Sequence, residues 1–325
     1  MKAIVRTRFG LPTALQFREV PKPTPMPGEV LVDVRAASVT FSNLMLATFP
    51  AGLILGMVRG ARDQILGSDV AGRVEAIGAG VKRFRPGDEV FGYLADCGKG
   101  AYAEYVCAPE RVLERKPVNL SFEEAAAVPE SGLVALQAVR DDGGVRPGHS
   151  VLVYGASGGI GTFAVQIAKA LGAEVTGVCS TNNLELVRAI GADEVIDYTR
   201  QDFTGAGPRY DLIVATAGYR SLSDYLRALK PGGTYVCTGG AWRQIFQSAV
   251  RGEKGSVRDG KKMVMLTMNP DYDLAALRDL IEAGKVRPVI DRSYPLHAVA
   301  DAFRYYGKRH ARGKVVLTVG PARQA

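Results

Sequence analysis

Long apolar runs are missing from this chain. The longest, Ala51 to Val58, has eight residues and two of them are glycine. A membrane-spanning helix needs roughly 18, so no integral membrane segment is expected. The opening MKAIVRTRFG mixes charges into its apolar positions, which leaves no signal-peptide core, and a cytoplasmic protein is the expectation. Cysteine is scarce: Cys97, Cys107, Cys179 and Cys237 stand apart with no CxxC pair, the usage of reduced thiols rather than a disulfide framework. Repeats and low-complexity segments are absent. Acidic residues are outweighed, 33 against 41 basic for a net charge of +8. The positives are spread out except for a knot between Arg243 and Lys262, and no nucleic-acid motif accompanies it. That knot reads as a solvated basic loop near an anionic ligand, and no nucleic-acid partner is expected.

What is present is a soluble composition, 47% hydrophobic and 23% charged over 325 residues, enough to bury a sizeable core. The first third reads as β. MKAIVRT, GEVLVDVRAASV, VAGRVEAIGAGV, DEVFGYLA and AYAEYVCA are short valine-rich runs punctuated by PKPTPMPGE and FRPGDE. Without intervening helices they suggest a partly closed barrel. Residues 46–64 form a leucine- and glycine-rich insert, a helical hairpin or a lid. From Ser121 the period changes: SFEE has the spacing of a capping box. Apolar strands at 151–154, 174–178, 194–196, 210–215, 234–237 and 263–266 then alternate with helical segments, the pattern of a doubly wound parallel sheet. Two further helices and a closing strand, KVVLTV, follow, and that strand is expected to rejoin the barrel. The expected division is therefore 1–124 with 269–325, and 125–268 between them.

Inside the second region Ala156-Ser157-Gly158-Gly159-Ile160-Gly161 occupies a G-x-G-x-x-G frame, with alanine for the first glycine, between a strand and an amphipathic helix. Bare Gly158 lets backbone N–H groups approach a pyrophosphate, and Gly161 lets helix and strand pack closely. A site for NAD carries an acid about 20 residues on, at the carboxyl end of the second strand. Here Ser180, Thr181, Asn182 and Asn183 stand there. Hydroxyls and amides accept a phosphate where a carboxylate repels it, so NADPH is the expected cofactor.

These stretches, with LGSDVAGRVEAIGAGVKRFRPGDEVFG, EEAAAVPESGLVALQAV, LVRAIGADEVIDY, LKPGGTYV and ARGKVVLTV, resemble the zinc-independent quinone oxidoreductase branch of the medium-chain dehydrogenase/reductase superfamily over nearly the whole chain. The resemblance implies an α/β protein: a Rossmann doubly wound parallel sheet plus a discontinuous GroES-like β-barrel catalytic domain, usually dimeric. It puts Ser180 and Tyr198 on the 2′-phosphate and Ser157, Gly159 and Ile160 on the pyrophosphate. Thr216, Ala217, Gly239 and Gly240 would border the nicotinamide half, and His310 and Arg312 the adenosine end. Some relatives have lysine where Asn183 stands, so one cationic contact is missing. Zinc-dependent members carry a cysteine where this chain has Thr40, and GHE where it has Gly67-Ser68-Asp69. Hydroxyls do not replace thiolate and imidazole, and no metal is expected.

Without a Lewis acid, the accessible chemistry is hydride transfer to an electron-poor acceptor whose oxygen takes up the charge. Thr40 and Asn43, in the SVTFSNLM segment after a barrel strand, are the candidate donors to that oxygen; the alternative makes them loop caps without a chemical role. Relatives carry a tyrosine and an acid in this segment, and here Phe41, Met45 and Phe49 make it more apolar. The expected function is NADPH-dependent reduction of a small hydrophobic quinone or α,β-unsaturated carbonyl. The alternatives are a non-catalytic NADPH-binding redox sensor and a zinc-free alcohol or ketone reductase.

Overall fold

The computed structural model describes residues 1–7, 15–48, 64–98, 100–205, 207–216, 220–239, 256–258, 260–269, 271 and 273–320. Most of the 46–64 insert, with Phe49, and most of the basic knot lie outside the described residues. The chain divides into two compact units: Met1–Glu130 with Tyr272–Glu282 and Pro288–Ala325, and Ser131–Asp271 with Ala283–Arg287. The first break falls at 130, not 124, because the helix Phe122–Ala126 packs over the strands Glu29–Val39, Asp69–Ile77 and Lys314–Thr318. Its capping box is formed: the Ser121 hydroxyl accepts the Glu124 N–H, and the Glu124 carboxylate accepts the Ser121 N–H.

The first unit is organised by the long strand Glu29–Val39. One edge pairs antiparallel with Asp69–Ile77; the other pairs with Tyr105–Pro109 along its first half and with Lys314–Thr318 along its second. The register slips at Leu31/Val32 and Val34/Ala36, which bends and twists the sheet. The closing strand thus rejoins the barrel unit, its apolar Val315 and Leu317 fully buried. Ile290–Pro295 lies parallel to it, and Glu89–Tyr93 and Leu113–Arg115 complete a seven-stranded sheet. A three-stranded sheet, Leu15–Glu19, Lys2–Arg6 and Gln64–Ile65, is tied on where Ile4 N–H donates to the Tyr102 carbonyl at 2.8 Å. The helix Val299–Gly307 seats Phe303 edge-on against Tyr102, ring centroids 6.1 Å apart, both fully buried.

In the second unit the sheet order is Glu194–Asp197, Glu174–Cys179, Ser150–Tyr154, Tyr210–Ala215, Leu229–Cys237, Lys261–Met265 and Ser256–Arg258. The first six are parallel and run 3-2-1-4-5-6, the dinucleotide-fold order; the seventh is an antiparallel edge strand that periodicity did not reveal. Register carries Tyr154 beside Ala215, Ala215 beside Cys237, and Cys179 beside Asp197. The carboxyl ends of these strands therefore form one edge, with the reversal of strand order between Ser150–Tyr154 and Tyr210–Ala215. Tyr154, Phe203, Tyr225 and Tyr235 form an aromatic cluster with ring centroids 5.1–5.7 Å apart, Phe203 stacked on Tyr225 and Tyr154 edge-on to it. Among the described residues no helix is long and apolar enough to cross a membrane.

Phe303 holds the C-terminal part of the discontinuous unit to its N-terminal part. Phe303→Ala is expected to lower unfolding stability by about 3–5 kcal/mol, read as a shift of the urea midpoint.

Candidate active site

The glycine turn follows the strand Ser150–Tyr154 and opens the helix Gly159–Ala170, with Gly158 at the N-cap. The left-handed residue is Gly155, φ +85°, one position ahead of the G-x-G-x-x-G frame. That explains why alanine is tolerated at 156, whose own backbone needs no positive φ. Gly155 and Ala156 both donate to the Val178 carbonyl at 3.0 Å, which pins the turn to the second strand. A Cβ on Gly161 would sit 2.1 Å from the Gly155 carbonyl oxygen, so this glycine permits the helix to approach the turn. The first N–H groups of the helix have no intrahelical partner and favour an anion.

At the end of the second strand, Asn183 Nδ2 donates to Ser157 Oγ at 3.1 Å and to Ser180 Oγ at 3.2 Å. Turn and strand end are thereby joined in one polar cluster. Asn183 Oδ1 is buried without a hydrogen-bond partner, an acceptor left over for a bound group. Tyr198, 47% exposed, is held to the same edge by its N–H on the Cys179 carbonyl.

Thr181 behaves differently. Its hydroxyl donates to Asp197 Oδ2 at 2.5 Å, while Thr199 N–H and O–H donate to Oδ1 at 3.0 and 2.7 Å. The acid missing from strand two is thus supplied by strand three, a juxtaposition that sequence spacing does not reveal. These hydrogen bonds, the Thr181 one foremost, hold Asp197 below the usual carboxylate range.

Thr216 donates its hydroxyl to the carbonyls of Tyr154 at 3.0 Å and Gly155 at 3.2 Å, closing the strand-order reversal. Gly239 backs onto it: a Cβ there would lie 3.3 Å from the Thr216 carbonyl. Beside Gly239, the Thr238 hydroxyl is buried and unpartnered, a candidate that sequence reading missed. Ala217 and Gly240 lie outside the described residues. His310 and Arg312 belong to the other compact unit, at the loop after Val299–Gly307, where Arg312 N–H donates to Asp291.

Thr40 and Asn43 lie in the barrel unit, and the segment is not the expected loop: Phe41–Thr48 is a helix. Thr40 Oγ1 accepts the Asn43 N–H at 3.3 Å, as an N-cap does. Phe41 is 44% exposed, whereas Thr40 and Asn43 are buried. The Asn43 amide donates to Thr40 Oγ1 at 2.8 Å and Ser68 Oγ at 2.9 Å, with Ser42 Oγ at 3.2 Å; its Oδ1 is buried and unpartnered. The Ser42 and Ser68 hydroxyls in turn donate to Glu130 Oε2 at 3.0 and 3.2 Å. Glu130 N–H donates to Asp69 Oδ1 at 3.0 Å; Asp69 Oδ2 takes the Ser38 hydroxyl at 2.6 Å and the Lys314 ammonium at 3.2 Å. Burial, then the neighbouring Asp69 carboxylate, pushes Glu130 above the usual glutamate range against the pull of Lys314 and the Ser42 and Thr40 hydroxyls.

Two family models match: an alcohol dehydrogenase GroES-like domain over residues 26–118 and a zinc-binding dehydrogenase over 190–317. The chain is 33% identical to the chloroplast envelope quinone oxidoreductase homolog of Arabidopsis thaliana, covering 93% of each chain. It belongs to the quinone oxidoreductase-like branch of the medium-chain dehydrogenase/reductases. It is also 34% identical to the mitochondrial NAD(P)H oxidoreductase RTN4IP1 of Mus musculus, over 90% of this chain and 82% of that one. A solved structure titled as an NAD-dependent alcohol dehydrogenase matches with a TM-score of 0.84 at 32% identity, covering 98% of this chain and 100% of that one. As an oxidoreductase of this family the protein uses a nicotinamide cofactor, and the glycine turn with the unpartnered Asn183 Oδ1 fits one. Zinc does not fit: Thr40 and Ser68 offer neutral hydroxyls already hydrogen-bonded to Asn43 and Glu130, and the Lys314 ammonium sits on Asp69.

Because Asp197 is depressed, its contribution to stability is present above the unfolded-state value and is lost as pH falls through the lower folded one. Thr181→Val removes a donor to the charged form. The Asp197 carboxyl carbon, followed by NMR, is expected to titrate at higher pH in that variant.

Proposed function

We propose that this protein is an NADPH-dependent reductase that passes hydride to a quinone or an α,β-unsaturated carbonyl. The observation that carries the acceptor class is the cluster around Thr40, Asn43 and Ser68, in which neutral hydroxyls and an amide surround Glu130 and no thiolate or imidazole is present to hold zinc. Such donors suit an acceptor whose own conjugation spreads the incoming charge.

When bound, the nicotinamide supplies the hydride. The residues of this chain do the rest. Gly159 and Ile160 present backbone N–H groups to the pyrophosphate, with Ser157 beside them, and Gly158, its N–H on the Gly155 carbonyl, leaves room for the approach. Ser180 and Tyr198 receive the 2′-phosphate, and Asn183 orients the Ser180 and Ser157 hydroxyls. A ribose with free hydroxyls needs a carboxylate acceptor, and Asp197 is already engaged by Thr181 and Thr199, which favours NADPH over NADH. Thr216 and Gly239 shape the nicotinamide end. Asn43 orients the hydroxyls of Thr40, Ser42 and Ser68, and Thr40 and Asn43 hold the acceptor side of the reaction.

In a fluorescence titration NADPH is expected to bind at least about tenfold more tightly than NADH, a difference of about 1.4 kcal/mol. Ser180→Ala is expected to erode that margin by weakening NADPH alone. NADPH oxidation is expected with phenanthrenequinone, naphthoquinone or an α,β-unsaturated aldehyde, and not with a simple ketone. Equal affinity for the two nucleotides overturns the cofactor reading; activity on the ketone alone overturns the acceptor reading.

A further inference from the structure

Glu130 is the point on which the polar cluster converges, and neither composition nor motif singled it out. Two chains of donors run to it, Asn43 to Ser68 to Glu130, and Asn43 to Thr40 to Ser42 to Glu130. Ser42 and Ser68 both address Oε2, which leaves Oε1 to carry or release a proton without any movement of the side chain. Its backbone is fixed as well, by the N–H bond to Asp69. Unlike Ser68, Asp69 and Asn43, which are fully buried, Glu130 keeps partial exposure. Asn43 Oδ1, buried and without a partner, is a second polar atom in the same cluster that awaits a hydrogen-bond donor.

We propose that Glu130 is the proton donor of the reduction, its carboxylic acid delivering from Oε1 the proton that accompanies each hydride. This deepens the reductase reading and rests on it. Hydride arriving at the β-carbon of an enone forms a C–H bond there, and the C=C π pair moves through the conjugated system to the carbonyl oxygen. That oxygen takes the proton from Glu130; the acid O–H bond breaks and its pair stays on the carboxylate. The new charge on Oε2 is met by the hydroxyls of Ser42 and Ser68. Glu130, a residue that is not fully buried, then regains its proton from solvent. A quinone follows the same sequence, with one hydride and one proton yielding the hydroquinone.

The charged and titratable groups around Glu130 are arranged for this. Asp69, on the strand Asp69–Ile77, disfavours the carboxylate; the charge of Lys314, on the closing strand and paired with Asp69, draws the other way. Tyr306, on the helix Val299–Gly307, and Tyr102 are both raised by burial and by these two carboxylates, so they remain neutral and add no charge. Glu130 accordingly stays protonated to higher pH than a free glutamate.

The test uses the full-length protein and two readouts. Infrared difference spectroscopy between wild type and Glu130→Gln is expected to show a protonated carboxyl stretch at neutral pH that the variant lacks. In turnover with phenanthrenequinone or an α,β-unsaturated aldehyde, Glu130→Gln is expected to lose about 10²-fold or more in kcat, with NADPH affinity unchanged. The fall of kcat at high pH, present in the wild type, is expected to vanish. Glu130→Asp should restore part of the rate. Ser42→Ala, which removes a donor to the charged form, should move the fall to higher pH. Absence of the carboxyl band, or a Glu130→Gln enzyme with the rate and pH profile of the wild type, overturns the proposal. If the wild type reduces none of the acceptors, the reductase reading falls and the donor role falls with it.

Discussion

Two opposite charges removed from water must meet or the unit that buries them does not form. Asp69 and Lys314 are that pair: their side chains are 0% and 3% exposed, and the ammonium lies 3.2 Å from Oδ2. They stand on strands 245 positions apart in the chain, so their contact requires the C-terminal strand to come back beside Glu29–Val39. Removing one partner of such a pair is far more costly than replacing both, because the remaining charge is stranded. Ser38 completes the shell of Asp69, and Tyr102 donates to the Ser38 carbonyl. The other carboxylate oxygen then takes the Glu130 N–H. The ion pair that closes the discontinuous unit thereby also fixes the residue on which the polar cluster converges.

The two units solve a similar problem in the same way, each within itself. In each, one asparagine uses its amide hydrogens to bring together hydroxyls near to and far from it in the chain, the buried Asn43 among Thr40, Ser42 and Ser68, the half-buried Asn183 between Ser157 and Ser180. In each, the amide oxygen is left buried and unpartnered. An unsatisfied buried acceptor carries a cost of about 1–3 kcal/mol, so it marks a place kept for something else to bind. In both, the amide hydrogens are spent on the hydroxyls, so the atom left over is a hydrogen-bond acceptor.

Much of the frame was legible in the chain. The capping box at Ser121 and Glu124 formed as read, because a cap is a matter of three residues' spacing. The strand ends at Tyr154 and Ala215 followed from short apolar runs between turns, and the second strand runs one residue past the expected 178, to Cys179. The edge strand Ser256–Arg258 was not legible, since three residues carry no period. Neither was the helix at Phe41, where a short apolar segment after a strand reads equally as loop. The acid-free reading of strand two held for that strand, yet Asp197 arrives beside Thr181 from the next one through parallel register.

Local chemistry, then, determined what kind of protein this is: the alternation of strand and helix, the glycines at 158 and 161, the hydroxyls and amides after Cys179, and Thr40 and Ser68 as neutral side chains. Tertiary structure alone decided which of these act together. Ser42 and Glu130 are 88 residues apart and Ser68 and Glu130 are 62 apart, separations over which no sequence period speaks. Their meeting depends on the bends in Glu29–Val39 and on the return of Lys314. Hydrogen bonds are directional and short-ranged, so only the folded chain reveals that Thr181 is occupied by Asp197, that Asn43 points its donors inward, and that the Ser42 and Ser68 hydroxyls converge on Glu130.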